Sequence, residues 1–174
     1  MLAAAAVSGA PPADRAAGPD QSTPQAAAAT FYDAYLRSTA GAFPGRNARM
    51  RLRRLLSPRL NLMLEQADRA RLEHARRSRG QESPPIEGDV FTSMFEGAGR
   101  FQVERCRSGA ERAICMVSLG HSGGAQAPSR WRDQLVLMRA PAGWVVDDVV
   151  YGGRWAFANR GRLSQTLRSA IPGG

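Results

Sequence analysis

Hydrophobic positions along the chain follow two different periods. Between Thr23 and about residue 77, aromatic and aliphatic residues recur every three or four positions, as on one face of a helix. From Arg100 the period changes to two, and Phe101 and Val103 alternate with polar neighbours, as in a half-buried strand. Helices that come first and strands that come later predict the α+β fold class.

Pairs of a hydroxyl residue and proline mark two helix starts. Thr23-Pro24 and Ser57-Pro58 each combine a capping hydroxyl with proline at the first helical position. The chain therefore predicts a helix from residue 24 that ends before Gly41, and a longer one from residue 58 to about residue 77. A short helix over residues 46–56 is expected between them, and a closing helix through Leu163, Leu167 and Ile171.

Four consecutive strands are predicted in the second half of the chain. They span residues 100–107, 112–119, 131–139 and 144–151, and their short connections predict an antiparallel sheet. Residues 90–95 are interpreted as a further short strand or a turn of helix.

The two cysteines are predicted to pair across the first hairpin. When the hairpin is centred between Ala110 and Glu111, Cys106 falls opposite Cys115. Paired Cα atoms in antiparallel strands lie about 4.5–5.5 Å apart, within disulfide range. The alternative is two buried free thiols. A disulfide favours an oxidising compartment.

The N-terminus agrees with export. The chain of 174 residues suits one domain, and no apolar run approaches the roughly 18 residues that span a bilayer. Residues 1–21 are interpreted as a signal-peptide remnant or a disordered tail, and residues 22–174 as a single domain. We therefore expect a periplasmic or secreted protein without a transmembrane segment.

The net charge of +9 comes from arginine alone, since lysine is absent and all 24 basic side chains are Arg. Eleven of them lie between Arg46 and Arg79, against three acids. High basicity often indicates nucleic acid binding. Nucleic acid is disfavoured here, because no aromatic residues interleave with these arginines and export removes the usual target. A solvated face, an acidic partner and a membrane surface stay open.

One nucleophile motif is present and is rejected. Residues 120–124 match G-x-S-x-G, but the following residues make a poor helix start, and both histidines precede Ser122. No catalytic residue is therefore assigned. Neither a metal site nor a cofactor is predicted, because two cysteines and two histidines form no obvious ligand set.

Three aspartates are candidates for ligand binding or for a catalytic base. Asp147 and Asp148 are neighbours in a strand, where adjacent side chains point to opposite faces, so they cannot share a proton. One of them is expected to face solvent. Asp133 is a similar candidate, since an inward-facing carboxylate often contacts a ligand.

Five segments in this order resemble bacterial domain-of-unknown-function family 3828, which looks like part of the nuclear-transport-factor-2-like superfamily. They are FYDAYL at 31–36, LLSPRL at 55–60, EGDVFTSMFEG at 87–97, WRD at 131–133 and GWVVDDVVY at 143–151. The resemblance covers roughly residues 27–171. It implies a curved, cone-shaped antiparallel sheet wrapped over N-terminal helices, with a cavity between them. It supplies no catalytic residues.

The favoured function is a non-enzymatic module that binds a small molecule or a partner protein, in one version an immunity or inhibitor protein. The candidate ligand-binding residues are Tyr32, Tyr35, Trp131, Asp133 and Asp148. The alternatives are a small cavity enzyme that uses Asp133, Asp147 or Asp148 as a base, and a basic phosphate or nucleic-acid binder. A homodimer formed through the sheet is expected by analogy with the superfamily.

Overall fold

The computed structural model describes residues 18–38, 41–121 and 130–173. Its helices are α1 (Pro24–Leu36), α2 (Arg46–Leu52), α3 (Pro58–Arg77) and α4 (Leu163–Ser169), and its strands are β1 (Arg100–Ser108), β2 (Arg112–Gly120), β3 (Arg130–Ala140) and β4 (Gly143–Val150). The predicted α+β class is confirmed. The signal-like residues 1–17 and Ser122 of the G-x-S-x-G match lie outside the described residues.

Helices α1 and α3 begin at the residues that the sequence predicts. The Thr23 hydroxyl accepts a hydrogen bond from the backbone N–H of Ala26 at 3.1 Å, and the Ser57 hydroxyl accepts one from Leu60 at 3.0 Å. Each cap satisfies a backbone donor that the first helical turn leaves unpaired. No helix within the described ranges is long and apolar enough to cross a membrane.

The second helix is shorter than predicted. It ends at Leu52, and one 3-10 turn over Arg53–Leu55 follows. Leu56 then forms an isolated parallel bridge with Val146 of β4, so the chain leaves the helix to reach the edge of the sheet.

The four strands pair antiparallel in chain order, β1-β2-β3-β4. The predicted disulfide is confirmed: Cys106 lies opposite Cys115 in the hairpin, and their Cα atoms are 4.0 Å apart. A bulge at Glu104 interrupts the ladder on β1. The cone-shaped curvature that the family resemblance implies stays a prediction.

The core lies between α1 and the sheet, because α1 contacts β1, β2 and β4. Phe31, Tyr32 and Tyr35 of α1 are buried and pack with Phe91 and Phe101. The ring pairs are mainly edge-to-face, an arrangement that adds about 0.5–1.5 kcal/mol per pair to area burial.

Residues 86–97 form a largely buried segment without helix or strand, so the predicted short strand or helical turn at 90–95 is wrong. Hydrogen bonds from its backbone to side chains take the place of the backbone hydrogen bonds of a helix or strand. One Asp89 carboxylate oxygen accepts from the backbone N–H of Phe91 at 2.8 Å and of Thr92 at 2.9 Å. We call residues 86–97 the side-chain-held segment.

Candidate functional site

A close approach of two chain segments shapes one end of the sheet. Strand β4 ends at Val150, and the following residues pass beside the beginning of β3. A Cβ atom added to Gly152 would lie 2.0 Å from the carbonyl oxygen of Arg132, and one added to Gly153 would lie 2.6 Å from the Trp155 ring. These contacts require glycine at both positions, because larger residues would push the segments apart.

Asp133 ties these segments together from inside the protein. Its carboxylate, 1% exposed, accepts hydrogen bonds from the backbone N–H groups of Ser93 at 2.7 Å and Gly152 at 2.8 Å. It also accepts from the indole N–H of Trp131 at 3.0 Å and from the Ser93 hydroxyl. Four donors satisfy both oxygens. Burial raises the pKa of Asp133 above its ordinary value, although these hydrogen bonds oppose that effect.

The segments enclose an open groove of about 660 Å³ on the outside of Asp133. We call it the arginine–tryptophan groove. It is lined by Ser118, Arg130, Trp131, Arg132, Gly152, Gly153, Arg154 and Trp155. The Trp131 and Trp155 rings meet edge to face with their centroids 5.7 Å apart. One wall is thus aromatic, and the rest consists of arginines, glycine backbone and one serine.

The positive charge of the groove is only partly neutralised. Arg132 pairs with Glu104, at 2.8 Å between Nε and Oε1. Across residues 18–38, 41–121 and 130–173, Arg130 and Arg154 form no ion pair. A guanidinium group offers two parallel N–H donors that match a carboxylate or phosphate. The groove therefore has the chemistry to bind an anion next to a flat apolar surface.

Tyr32 and Tyr35 lie elsewhere, in the core beneath the side-chain-held segment. The Tyr35 hydroxyl donates to Asp89 at 2.7 Å and accepts from the backbone N–H of Ala98 at 3.1 Å. The Tyr32 hydroxyl donates to the carbonyl of Phe91 at 3.4 Å. Burial raises the pKa of Asp89 to about 7. Both tyrosines thus hold a loop and do not line the groove.

Asp148 caps the last helix. Its carboxylate accepts from the backbone N–H of Ser164 at 3.0 Å and from the Ser164 hydroxyl at 2.7 Å, at the start of α4. A third bond comes from the N–H of Val149 at 2.9 Å. Negative charge at a helix N-terminus is favourable, and this contact fixes α4 against β4.

Asp147 has different partners, at the start of α3. It accepts from the Ser57 hydroxyl at 2.7 Å and from Arg59 Nε at 3.2 Å. Burial opposes ionisation, but the bonds from Arg59 and Ser57 hold the pKa of Asp147 below its ordinary value. Separate partners confirm that Asp147 and Asp148 form no shared-proton pair. The expectation that one faces solvent is wrong, since both are buried.

Of the five ligand-binding candidates, Trp131 lines the groove and Asp133 supports it from behind. Sequence reasoning missed Arg130, Arg154 and Trp155, which the fold brings together from β3 and from the segment after β4. The available signal was Gly152-Gly153 directly after a strand, followed by Arg and Trp. Within the described part of the chain, no group of three or more Asp, Glu, His or Cys residues is placed to hold a metal ion.

Comparisons of the chain with protein-family models, with curated proteins and with solved structures found no match. The function is therefore inferred from the chemistry of the groove.

Proposed function

We propose that the chain is a non-enzymatic binding module that holds an anionic ligand in the arginine–tryptophan groove. The observation that carries this proposal is the pair of arginines, Arg130 and Arg154, that line the groove without an ion pair in the described residues. Both arginines are exposed to solvent, so a dissolved anion can reach them. The ligand carries a carboxylate or phosphate beside a planar ring that packs against Trp155.

A fixed binding surface supports the proposal. The Asp133 carboxylate positions the indole of Trp131 and the backbone of Gly152, so two walls of the groove are held before any ligand arrives. Preorganisation of this kind raises affinity because less conformational freedom is lost on binding.

The state of the three candidate bases favours binding over catalysis. A general base must come within hydrogen-bond reach of a substrate proton. Asp133, Asp147 and Asp148 are all buried, and each is engaged by at least two hydrogen bonds from the chain itself. Their oxygens are occupied in structural roles. A small enzyme that uses one of them as a base is accordingly the weaker candidate.

We extend the proposal to an exported protein, in the periplasm or secreted. The Cys106–Cys115 disulfide supports it, because such bonds persist in oxidising compartments. Membership of the nuclear-transport-factor-2-like superfamily, its cone-shaped cavity and a dimer formed through the sheet belong to the same proposal. The antiparallel sheet in an α+β fold is compatible with them.

The test is an NMR titration that follows the three indole N–H resonances of Trp131, Trp144 and Trp155. Phenyl phosphate is the anionic probe, and benzyl alcohol is the matched neutral probe. We expect phenyl phosphate to shift Trp131 and Trp155 saturably. Trp144 should not respond, because it lies under Arg139 and does not line the groove.

Variants locate the effect. Arg130→Ala and Arg154→Ala should each weaken phenyl phosphate binding about tenfold, the loss of one charge-assisted contact. Arg168→Ala, an exposed arginine on α4, is the control and should bind normally. Equal responses to both probes, or no response of Trp155, would refute the anion site. Release of phenol would show an enzyme in place of a binding module.

A further inference from the structure

A second groove lies between α2 and α3. Its lining residues lie between 46 and 65, in a different part of the sequence from those of the first groove. It has a volume of about 570 Å³. We call it the helix groove, and the lining residues that matter here are Arg46, Arg49, Met50, Arg53, Leu62 and Glu65. Nothing in the proposed function uses this surface.

Hydrogen bonds and an ion pair fix the groove in shape. The Asn61 amide donates to the carbonyls of Arg53, Leu56 and Ser57 at 2.9, 3.1 and 3.1 Å, which locks the corner between the two helices. Arg49 pairs with Asp68 of α3 at 2.8 Å. The two walls are therefore held apart at a set distance before any partner binds.

The groove has more positive charge than its own acids neutralise. Asp68 is shared by Arg49 at 2.8 Å and Arg71 at 3.0 Å, and Glu65 lies 3.9 Å from Arg69. Among the residues that the structure describes, Arg46 and Arg53 form no ion pair.

Large apolar side chains are exposed in the same groove. Met50 is 61% exposed and Leu62 is 53% exposed. Covering such side chains with a partner is favourable, because it removes apolar surface from water. Apolar surface between unpaired positive charges is a pattern that fits a protein partner with apolar residues flanked by acids.

We propose that the helix groove docks an acidic, amphipathic helix of a partner protein. Two apolar side chains of that helix cover Met50 and Leu62, and its carboxylates reach Arg46 and Arg53. Nucleic acid fits less well, because phosphates would leave Met50 and Leu62 in water. A membrane fits less well, because its surface is flat and the site is concave. A second copy docked through the same groove fits less well, because Arg46 and Arg53 would face the same arginines of the other copy.

The first experiment selects the partner chemistry without assuming a sequence. Random peptides of about 16 residues, roughly four helical turns, are displayed on phage and selected on the whole protein. Counter-selection uses the double variant Met50→Ser/Leu62→Ser, which changes only exposed side chains. We expect enriched peptides to be acidic, with apolar residues three or four positions apart. Enrichment of basic or neutral peptides, or none above the counter-selection, would overturn the proposal.

The second experiment tests the role of the arginine charges, which the counter-selection variant leaves unchanged. Arg46→Glu/Arg53→Glu should weaken the best synthetic peptide about tenfold. Leu72→Ser is the control, because Leu72 is exposed on α3, which forms one wall, but does not line the groove. Unchanged binding after charge reversal would refute the acidic partner. A short RNA or phosphatidylserine vesicles are added as competitors. If either displaces the bound peptide at a lower concentration than free peptide does, the natural ligand is that competitor and not an acidic helix. Both readouts are independent of the arginine–tryptophan groove.

Discussion

The hairpin of β1 and β2 and the side-chain-held segment are both attached to β3, but by different means. The hairpin joins through a continuous backbone ladder from Arg112 to Gly120, and a disulfide closes it. The segment joins through the Asp133 carboxylate, which accepts from the backbone and the hydroxyl of Ser93.

This difference determines how each region responds to mutation. A ladder spreads its stabilisation over many backbone groups that every residue type supplies. A buried carboxylate concentrates the stabilisation in one side chain. Removing that side chain leaves several buried donors without a partner. The segment should therefore be the more fragile of the two.

The largest expected effect comes from Asp133→Ala. It leaves the donors of Ser93, Trp131 and Gly152 unpaired, and we expect a loss of about 4 kcal/mol in the free energy of unfolding. Urea unfolding followed by tryptophan fluorescence measures it. Asp33→Ala removes an exposed acid on α1 and should change stability by less than about 0.5 kcal/mol. Similar losses in both variants would contradict the special role of Asp133.

A smaller effect is expected in the hairpin. Cys106→Ser/Cys115→Ser removes a bond that spans nine residues, and we expect a loss of about 2–3 kcal/mol, since the strand ladder is retained. Thermal unfolding with and without dithiothreitol measures it. The reductant should destabilise the unmodified protein and leave the double variant unchanged. A double variant as stable as the oxidised protein would show that the ladder alone holds the hairpin.

The smallest effect is a pH dependence within the side-chain-held segment. Burial raises the pKa of Asp89 to about 7 in the folded protein. The unfolded value is about 3.9, so the folded state binds this proton more tightly. The contribution to stability is complete below about pH 4 and is lost as the pH rises through about 7.

Asp89→Asn removes that titration. The decrease in unfolding free energy between about pH 5 and pH 8 should be smaller in the variant by about 2 kcal/mol. Part of the slope should persist, because the pKa of Asp133 is also raised by burial. Calorimetry at several pH values measures the difference, with Asp33→Asn as the control. Parallel pH profiles of the variant and the unmodified protein would show that Asp89 does not titrate in this range.

The same contrast explains which parts of the fold the sequence predicts. Helix caps are local, so Thr23 and Ser57 predict the starts of α1 and α3 correctly. Strand period and hairpin symmetry are also local, and they are enough to pair Cys106 with Cys115. The side-chain-held segment has no period, because its backbone is bound by Asp89 and not by a ladder. No local signal marks such a loop.

The candidate site was predictable only in part. Two of the predicted residues, Trp131 and Asp133, lie at the groove. The depth of the groove depends on where β4 ends and on how closely Gly152 approaches Arg132. Both depend on tertiary structure. Arg154 and Trp155 lie about 20 residues after Asp133, and nothing in the sequence indicated that they contact the region of β3.

The bulge at Glu104 has a consequence for self-association. Strand β1 is one edge of the sheet, and an edge offers unpaired backbone groups to any passing strand. On the opposite edge, β4 is bridged to Leu56 and Arg162. On β1, an irregular backbone and the charges of Arg105 and Arg107 interfere with the flat, regular template that a second strand needs. We therefore expect little fibre-like aggregation through β1, the strand that the disulfide joins to β2.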